Sequence, residues 1–442
     1  MRKILMRANM SPLDVVSPRQ MISGNKIGGN SGNMIFPHSL FRVLMTENTQ
    51  IDTIKTSRKF SSEEARQINE NYDYFVIPLA NGFRSEFRNE LRYLANLVDK
   101  LTIPCVVIGV GVQADVDNDM TGPFDFDDAS KVFVKSILKR SATIGIRGEM
   151  TAEYLKRLGF REESDFTVIG CPSMYMWGDQ LPEPRAGELT PNSFVSTNRK
   201  PPLSDTFHNF MVKSMEQLPN HYFLPQNLAD ILLLYAGVPL SLSKHKNAPS
   251  TYPQMPAEEI FLQDRVRAFM GAGPWLEFLR QAQLSFGSRI HGNITAVLAG
   301  TPAFIFACDS RVRELAEYHK IQHMLMKDMT EDLDIFEIYE KADFQSVHQG
   351  HKERFTHFAD FLQKNGLEYV SNLSEGIEVP FDKALAKLDM APDIHSLFTR
   401  SYEEQADILA WYDTWMAKKI AKGGAPKNMR ELAKQAYKLL KK

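Results

Sequence analysis

Cysteine is scarce in this chain: Cys105, Cys171 and Cys308 are the only three in 442 residues. They lie far apart, each in or beside an apolar run, which excludes a disulfide framework and a cysteine zinc site and reads as buried thiols in a reducing compartment. Net charge is nearly absent too. The 52 Lys and Arg against 54 Asp and Glu leave −2, so bulk electrostatics provide no reason to bind nucleic acid. No apolar run reaches the length of a membrane span, and residues 1–7 hold too short an apolar stretch for a signal peptide. A cytoplasmic location is expected. Nucleotide loops are missing as well: no Gly-Lys-Ser/Thr follows the Gly/Asn-rich residues 28–33, and Gly109-Val110-Gly111 lacks a third glycine. The pairs His319/His323 and His348/His351 have helical spacing but no third ligand nearby, so no metal site is expected.

What is present is an alternation of short buried strands with helices, the signature of a parallel, doubly wound α/β sheet. A chain of 442 residues exceeds one ordinary core, and its middle turns rich in proline, glycine and charge at residues 179–191. That linker divides the chain into an N-terminal Rossmann-like domain over 1–180 and a C-terminal one over 192–330. A helical C-terminal extension over 331–442 follows. In the first domain the β-rich residues 74–79 stop at Asn81, the buried run 104–111 ends in glycines, and strand 143–146 delivers Arg147 at its carboxyl end. Residues 1–27 promise only a short strand. The second domain starts with strand 193–197 and exits through Asn198-Arg199, and further strands are expected at 222–224 and 238–242.

The most informative stretch is residues 284–308. An apolar strand leads into Gly287-Ser288-Arg289-Ile290-His291-Gly292, then a helix-compatible run, Gly300-Thr301-Pro302 and a second buried strand. Loops at the carboxyl ends of parallel strands form the ligand crevice, and a helix N-terminus there favours an anion. Arg289 can grip a carboxylate or phosphate bidentately, while the ordinary pKa of His291 lies nearest neutrality. Together they read as an anion hook beside a proton donor.

Ser288-Arg289-x-His291-Gly292, the Gly-x-Pro after its helix, and Asp309-Ser310-Arg311-Val312-Arg313-Glu314-Leu315 together resemble the polysaccharide pyruvyl transferase family. The resemblance continues in Gly28-Gly29-Asn30-Ser31-Gly32-Asn33, Gly109-Val110-Gly111-Val112-Gln113, Ile146-Arg147-Gly148-Glu149 and Gly170-Cys171-Pro172, in family order. It implies transfer of a pyruvyl group from phosphoenolpyruvate to a sugar, commonly as a ketal, with no cofactor, on two Rossmann-like domains facing a cleft in the GT-B manner. On this reading His291 is the general acid, its pKa near the working pH, and Arg289 neutralises the donor. Arg147 would be a second cationic anchor from the other domain. Ser288, as a loop hydrogen-bond donor, Gly292, Asn30, Asn33, Asn81 and Arg199 complete the expected substrate contacts; the family usually carries an acid near Asn33, where this chain has an amide. Two alternatives stay open: a GT-B glycosyltransferase using a nucleotide sugar, and a non-catalytic carbohydrate-binding protein on the same fold. Residues 418–442 hold nine Lys and Arg against one acid, Glu431. They are expected either as a solvated tail or as a contact with the inner face of a membrane that would suit a lipid-linked acceptor.

Overall fold

The computed structural model describes residues 1–200, 204–240 and 252–421. It contains two parallel sheets. The first is built from β1 (Arg2–Arg7), β2 (Thr49–Ile54), β3 (Tyr74–Pro78) and β4 (Cys105–Ile108) in the order β2-β1-β3-β4. A parallel bridge between Val110 and Ile146 carries it on into β5 (Ile144–Ile146) and β6 (Phe166–Val168). The central strands β3 and β4 are almost wholly buried runs of Val, Ile, Phe and Cys, as strands covered by helices on both faces must be.

The second sheet comprises β7 (Val195–Thr197), β8 (His221–Phe223), β9 (Leu284–Gly287), β10 (Ala303–Ala307) and β11 (His323–Leu325) in the order β11-β10-β9-β7-β8, again all parallel. The two Rossmann-like units face one another with the carboxyl ends of their strands turned inward. Between them runs the helix Ile290–Leu298, every residue of which is buried. Its apolar face has no solvent side because it packs on its own sheet and also on the first unit's one-turn helices Ser31–Met34 and Pro172–Tyr175. One hydrophobic core therefore crosses the boundary, taking in Phe36, Ile108 and Tyr175 with Ile290, Ile294 and Ile305.

The chain beyond residue 330 straps the units together. Helix His351–Lys364 returns to the first unit, where Phe358 stacks on Tyr175 at 4.6 Å and Asn365 Oδ1 accepts hydrogen bonds from Ser141 Oγ and Ala142 N. Helix Tyr402–Ala421 lies on the second unit, with Trp411 edge-on to Tyr235 and an ion pair between Asp407 and Arg19. Trp411, Tyr412 and Trp415 pack half-buried on that unit's core, Ile408 and Met416 are buried, and Leu409 is exposed. The strand expected over 238–242 does not form in its described part, 238–240, and the rest lies outside the described residues. The basic stretch from 422 onward is likewise outside them. Among the described residues no helix is long and apolar enough to cross a membrane.

Candidate active site

The strand-end residues Arg147, His291 and Arg311 come together, the charges of the two arginines acting on the imidazole. Arg147 leaves β5 and is fully buried; its Nε donates to Gly109 O at 2.8 Å and its guanidinium stands 5.5 Å from the centre of the Phe36 ring. Its two Nη atoms have no hydrogen-bond partner among the described residues. A Cβ on Gly111 would come within 2.6 Å of Arg147 Cδ, so the second glycine of Gly109-Val110-Gly111 makes room for this side chain. Burial pushes the Arg147 pKa down to about 10, and like charge from Arg311 adds to the effect.

From the second unit, Arg289 is the N-cap of helix Ile290–Leu298. Its Nη2 donates to Asn227 Oδ1 at 2.7 Å, and its buried Nε has no partner among the described residues. Burial lowers its pKa, with Arg311 again contributing. The loop is held from behind by a reciprocal amide pair, in which Asn198 and Asn293 each donate to the other's Oδ1 at 3.1 Å. Ser288 Oγ accepts from Lys200 N at 3.1 Å, which leaves its own O–H to donate.

His291 sits in the first turn of that helix, buried, its ring edge-on to Phe36 and its Nε2 unpartnered. Burial drives its pKa well below 6.5, and the fields of Arg147 and Arg311 push the same way. The expectation of an imidazole titrating near neutral pH is therefore corrected: in this arrangement the ring is neutral. Placing a third charge beside two buried guanidinium groups is unfavourable without an anion to offset it.

Arg311 is the residue that sequence reasoning passed over. It was legible as part of a strand-end loop, that of β10, by the same rule that picked out Arg147 and Arg289. Its like-charge field reaches Arg84, Arg147, Arg289 and His291 alike. Asp309 Oδ2 holds it at 3.2 Å and also pairs with Lys200 at 3.0 Å. Burial opposes ionisation of Asp309, but those two cations bring its pKa down to about 2. Arg311 Nε remains unpartnered.

The remaining expected residues divide. The loop with Asn30 zips onto the second unit, bridging to Asn227, and Ser31 N donates to Gln226 O at 2.8 Å. Gly292 lies against Gln226 and Asn198, too close for any side chain of its own. Asn33 and Asn81 line a neighbouring pocket of the first unit. Arg199, expected to face the cleft, is instead buried against its own sheet, with Nη1 donating to Thr197 Oγ1 and its guanidinium 5.1 Å from the Phe223 ring centre. Among the described residues no three His, Cys, Asp or Glu are grouped to hold a metal; His319 Nε2 accepts from Cys171 N and His351 Nε2 contacts Gly178 O.

No curated protein matches the chain. Solved structures partly similar to it include UDP-GlcNAc 2-epimerase of Methanocaldococcus jannaschii with UDP-GlcNAc and UDP, at a TM-score of 0.42 and 10% identity over 82% of this chain and 99% of that one. HepE of Anabaena in complex with UDP gives 0.41 and 10% over 88% and 99%. A functionally uncharacterized protein of Klebsiella pneumoniae gives 0.39 and 10% over 73% and 93%. The profile of the family described as polysaccharide pyruvyl transferase matches residues 30–310. That match spans well over half the chain and takes in the Asn30 loop, Arg147, Arg289 and His291, so the chain belongs to the polysaccharide pyruvyl transferase family.

Proposed function

We propose that the cleft transfers the pyruvyl group of phosphoenolpyruvate to two hydroxyls of a sugar, forming a ketal. One observation carries the reading: the buried N–H groups of Arg147 Nη1 and Nη2, Arg289 Nε and Arg311 Nε have no partner among the described residues, and the Arg311 charge reaches Arg147 and Arg289 and also acts on His291. An unmatched buried donor costs about 1–3 kcal/mol, so such a cluster marks the place of an anion with several acceptor oxygens. Phosphoenolpyruvate has a phosphate and a carboxylate on adjacent positions and meets that description.

In this reaction a proton adds to the methylene carbon of the donor, turning it into a methyl group. The neighbouring carbon forms two C–O bonds to the acceptor oxygens and loses its bond to the phosphate oxygen. Of the two hydroxyl protons released, one replaces the proton taken up by carbon and the other leaves with inorganic phosphate. The arginines offset the donor's charge before reaction and the phosphate's charge as it departs. They also act on His291, because an anion lodged between Arg147 and Arg311 cancels the part of its pKa depression that their field adds to that of burial. His291 gains its proton only with the donor in place, which suits a general acid that must not be spent beforehand. The reading brings with it a cytoplasmic setting, where phosphoenolpyruvate is made and the free thiols Cys105, Cys171 and Cys308 persist.

Titration calorimetry tests the donor. Phosphoenolpyruvate should bind the wild type and lose at least about tenfold in affinity in Arg289→Ala, with inorganic phosphate weaker throughout. Binding of a nucleotide sugar and not of phosphoenolpyruvate would replace this reading with glycosyl transfer.

A further inference from the structure

The cations of this molecule do not stop at the donor cluster. A pocket of about 180 Å³ lies wholly within the first unit, at the carboxyl ends of β1 and β3, and among its lining are Arg7, Lys26, Asn33, Asn81 and Arg84. No acidic side chain lines it. Arg7 forms no ion pair among the described residues: it donates to Thr56 Oγ1 at 2.9 Å and to Pro78 O at 3.2 Å, and Lys26 has no ion pair either. Arg84 donates through Nη1 to Asn81 O and, among the described residues, its ion pair is a long one of 3.7 Å to the exposed Glu86. Arg7 and Arg84 both stand over the Phe87 ring, 5.6 and 5.0 Å from its centre, which holds two like charges side by side at the pocket wall. Asn81 Nδ2 donates to Gln113 Oε1, which fixes an amide between the cations.

Glu86 and Glu90 act on these cations only from outside the pocket lining. Two like charges held together, half-buried and with no carboxylate in the lining, are a recognition arrangement for an anion, and arginine in particular matches the two oxygens of a carboxylate or phosphate. Phosphoenolpyruvate does not account for them. Its negative charge is already met by Arg147, Arg289 and Arg311, and Phe36 stands between, lining this pocket while its ring touches His291 edge-on on the donor side. A group in the pocket is thus one aromatic ring away from His291, so a sugar anchored there by its anion would have to extend past Phe36 to bring its hydroxyls to the donor.

We propose that this pocket is the acceptor subsite and that it selects an anionic sugar, one carrying a phosphate or a carboxylate, through Arg7, Arg84 and Lys26. The proposal rests on the pyruvyl-transfer reading for the word acceptor, but the charge preference of the pocket stands or falls by itself. Asn33 and Asn81 then serve sugar hydroxyls, a role that amides fill and that the acid usual in the family near Asn33 would fill less well beside an anion.

The test is titration of the full chain with galactose 1-phosphate, glucuronate and uncharged galactose, each against wild type, Lys26→Ala and Arg84→Gln. Phosphoenolpyruvate is titrated into the same three proteins. At least one charged sugar should bind about tenfold or more tighter than galactose and lose about fivefold or more in each variant, while phosphoenolpyruvate affinity stays within about twofold. Preference for the phosphate or for the carboxylate identifies which anion the acceptor bears. Equal binding of galactose, undiminished binding in both variants, or no sugar binding at tens of millimolar would overturn the proposal. So would inorganic phosphate competing as well as galactose 1-phosphate, or phosphoenolpyruvate weakening in parallel with the sugars. If phosphoenolpyruvate fails to bind even the wild type, the donor reading fails, and a charged-sugar preference lost in the variants still upholds the anionic subsite.

Discussion

The Phe36 ring meets the His291 imidazole edge-on, centroids 5.8 Å apart and planes at 88°, although the two residues come from different units. The same ring takes the Arg147 guanidinium 5.5 Å from its centre. A single aromatic of the first unit thus orients the proton-carrying candidate of the second and the buried arginine of its own. Its negative face is well placed to hold a cation that has given up water, a contribution on the order of 0.5–2 kcal/mol.

Replacing that ring by an aliphatic side chain of similar bulk keeps the apolar contact and removes the quadrupole. Phe36→Leu is expected to weaken phosphoenolpyruvate binding by about three- to tenfold through a looser Arg147. The melting temperature should fall only slightly, because a conservative core exchange usually costs under about 1.5 kcal/mol. Calorimetry and thermal melting on the same preparation separate the two effects. A large loss of stability with unchanged donor affinity would mean that Phe36 only fills space.

His291→Asn should leave donor affinity nearly unchanged and lower turnover by about 10²- to 10⁴-fold, the range for a lost general acid. Asparagine keeps a polar group at the start of the helix, so a folding defect is not expected. Steady-state kinetics with a defined acceptor decide the matter, and a variant that keeps more than a tenth of wild-type turnover removes His291 from the chemistry.

Proton uptake provides a test that needs no acceptor. Burial, Arg147 and Arg311 hold His291 well below its ordinary pKa, so at neutral pH it enters the reaction uncharged. If the donor's anion reverses that field, binding must take up a proton, and affinity must fall as pH rises from about 6 to 8. Calorimetry at pH 7 in buffers of different ionisation enthalpy measures the uptake, and His291→Asn should show less of it by a sizeable fraction of one proton. Because phosphoenolpyruvate itself titrates near this range, the difference between the two proteins is the quantity to read. Identical uptake in both would place the proton elsewhere.

The sequence carries the strands and the strand-end rule but not the convergence of charge. β3 to β10 were legible because nearly all are short buried apolar runs with turn residues after them, β8 forming one residue earlier than the 222–224 expected, and that placement led directly to Arg147, Arg289 and His291. β2, with its sequence Thr-Gln-Ile-Asp-Thr-Ile, escaped notice because an edge strand half open to solvent needs little hydrophobic patterning. β11 escaped for the same reason, its residues all half-buried. Arg7 lies at the end of β1, in a stretch that looked nearly patternless, and Arg84 follows a strand already recognised, yet neither announced that it faces the other. The pKa of His291 was illegible in principle, since it is set first by burial between the two units and then by charges 144 and 20 residues away in the chain, on Arg147 and Arg311. Arg199 was misjudged because a strand-end position says nothing about which side of the loop a long side chain takes.

The last prediction concerns the joint between the units. Glu314, in the helix after β10, is buried and accepts from Thr151 N at 2.6 Å and from Thr151 Oγ1 at 3.1 Å, one turn beyond Arg147. Burial lifts its pKa from 4.5 to about 7, the Thr151 hydrogen bonds opposing the rise. A carboxyl whose folded pKa lies above its unfolded value stabilises the fold while protonated. That contribution is complete below about pH 4.5 and is lost as pH climbs through about 7, a change on the order of 3 kcal/mol for a shift of this size. Glutamine keeps the shape and the acceptor oxygen for Thr151 N but cannot ionise. Glu314→Gln should therefore melt within a degree or two of wild type near pH 5 and a few degrees above it near pH 8.5, so that the two melting curves diverge with pH. Thermal melts across pH 5 to 9 read the divergence directly, and parallel curves would show that Glu314 stays ionised in the fold throughout.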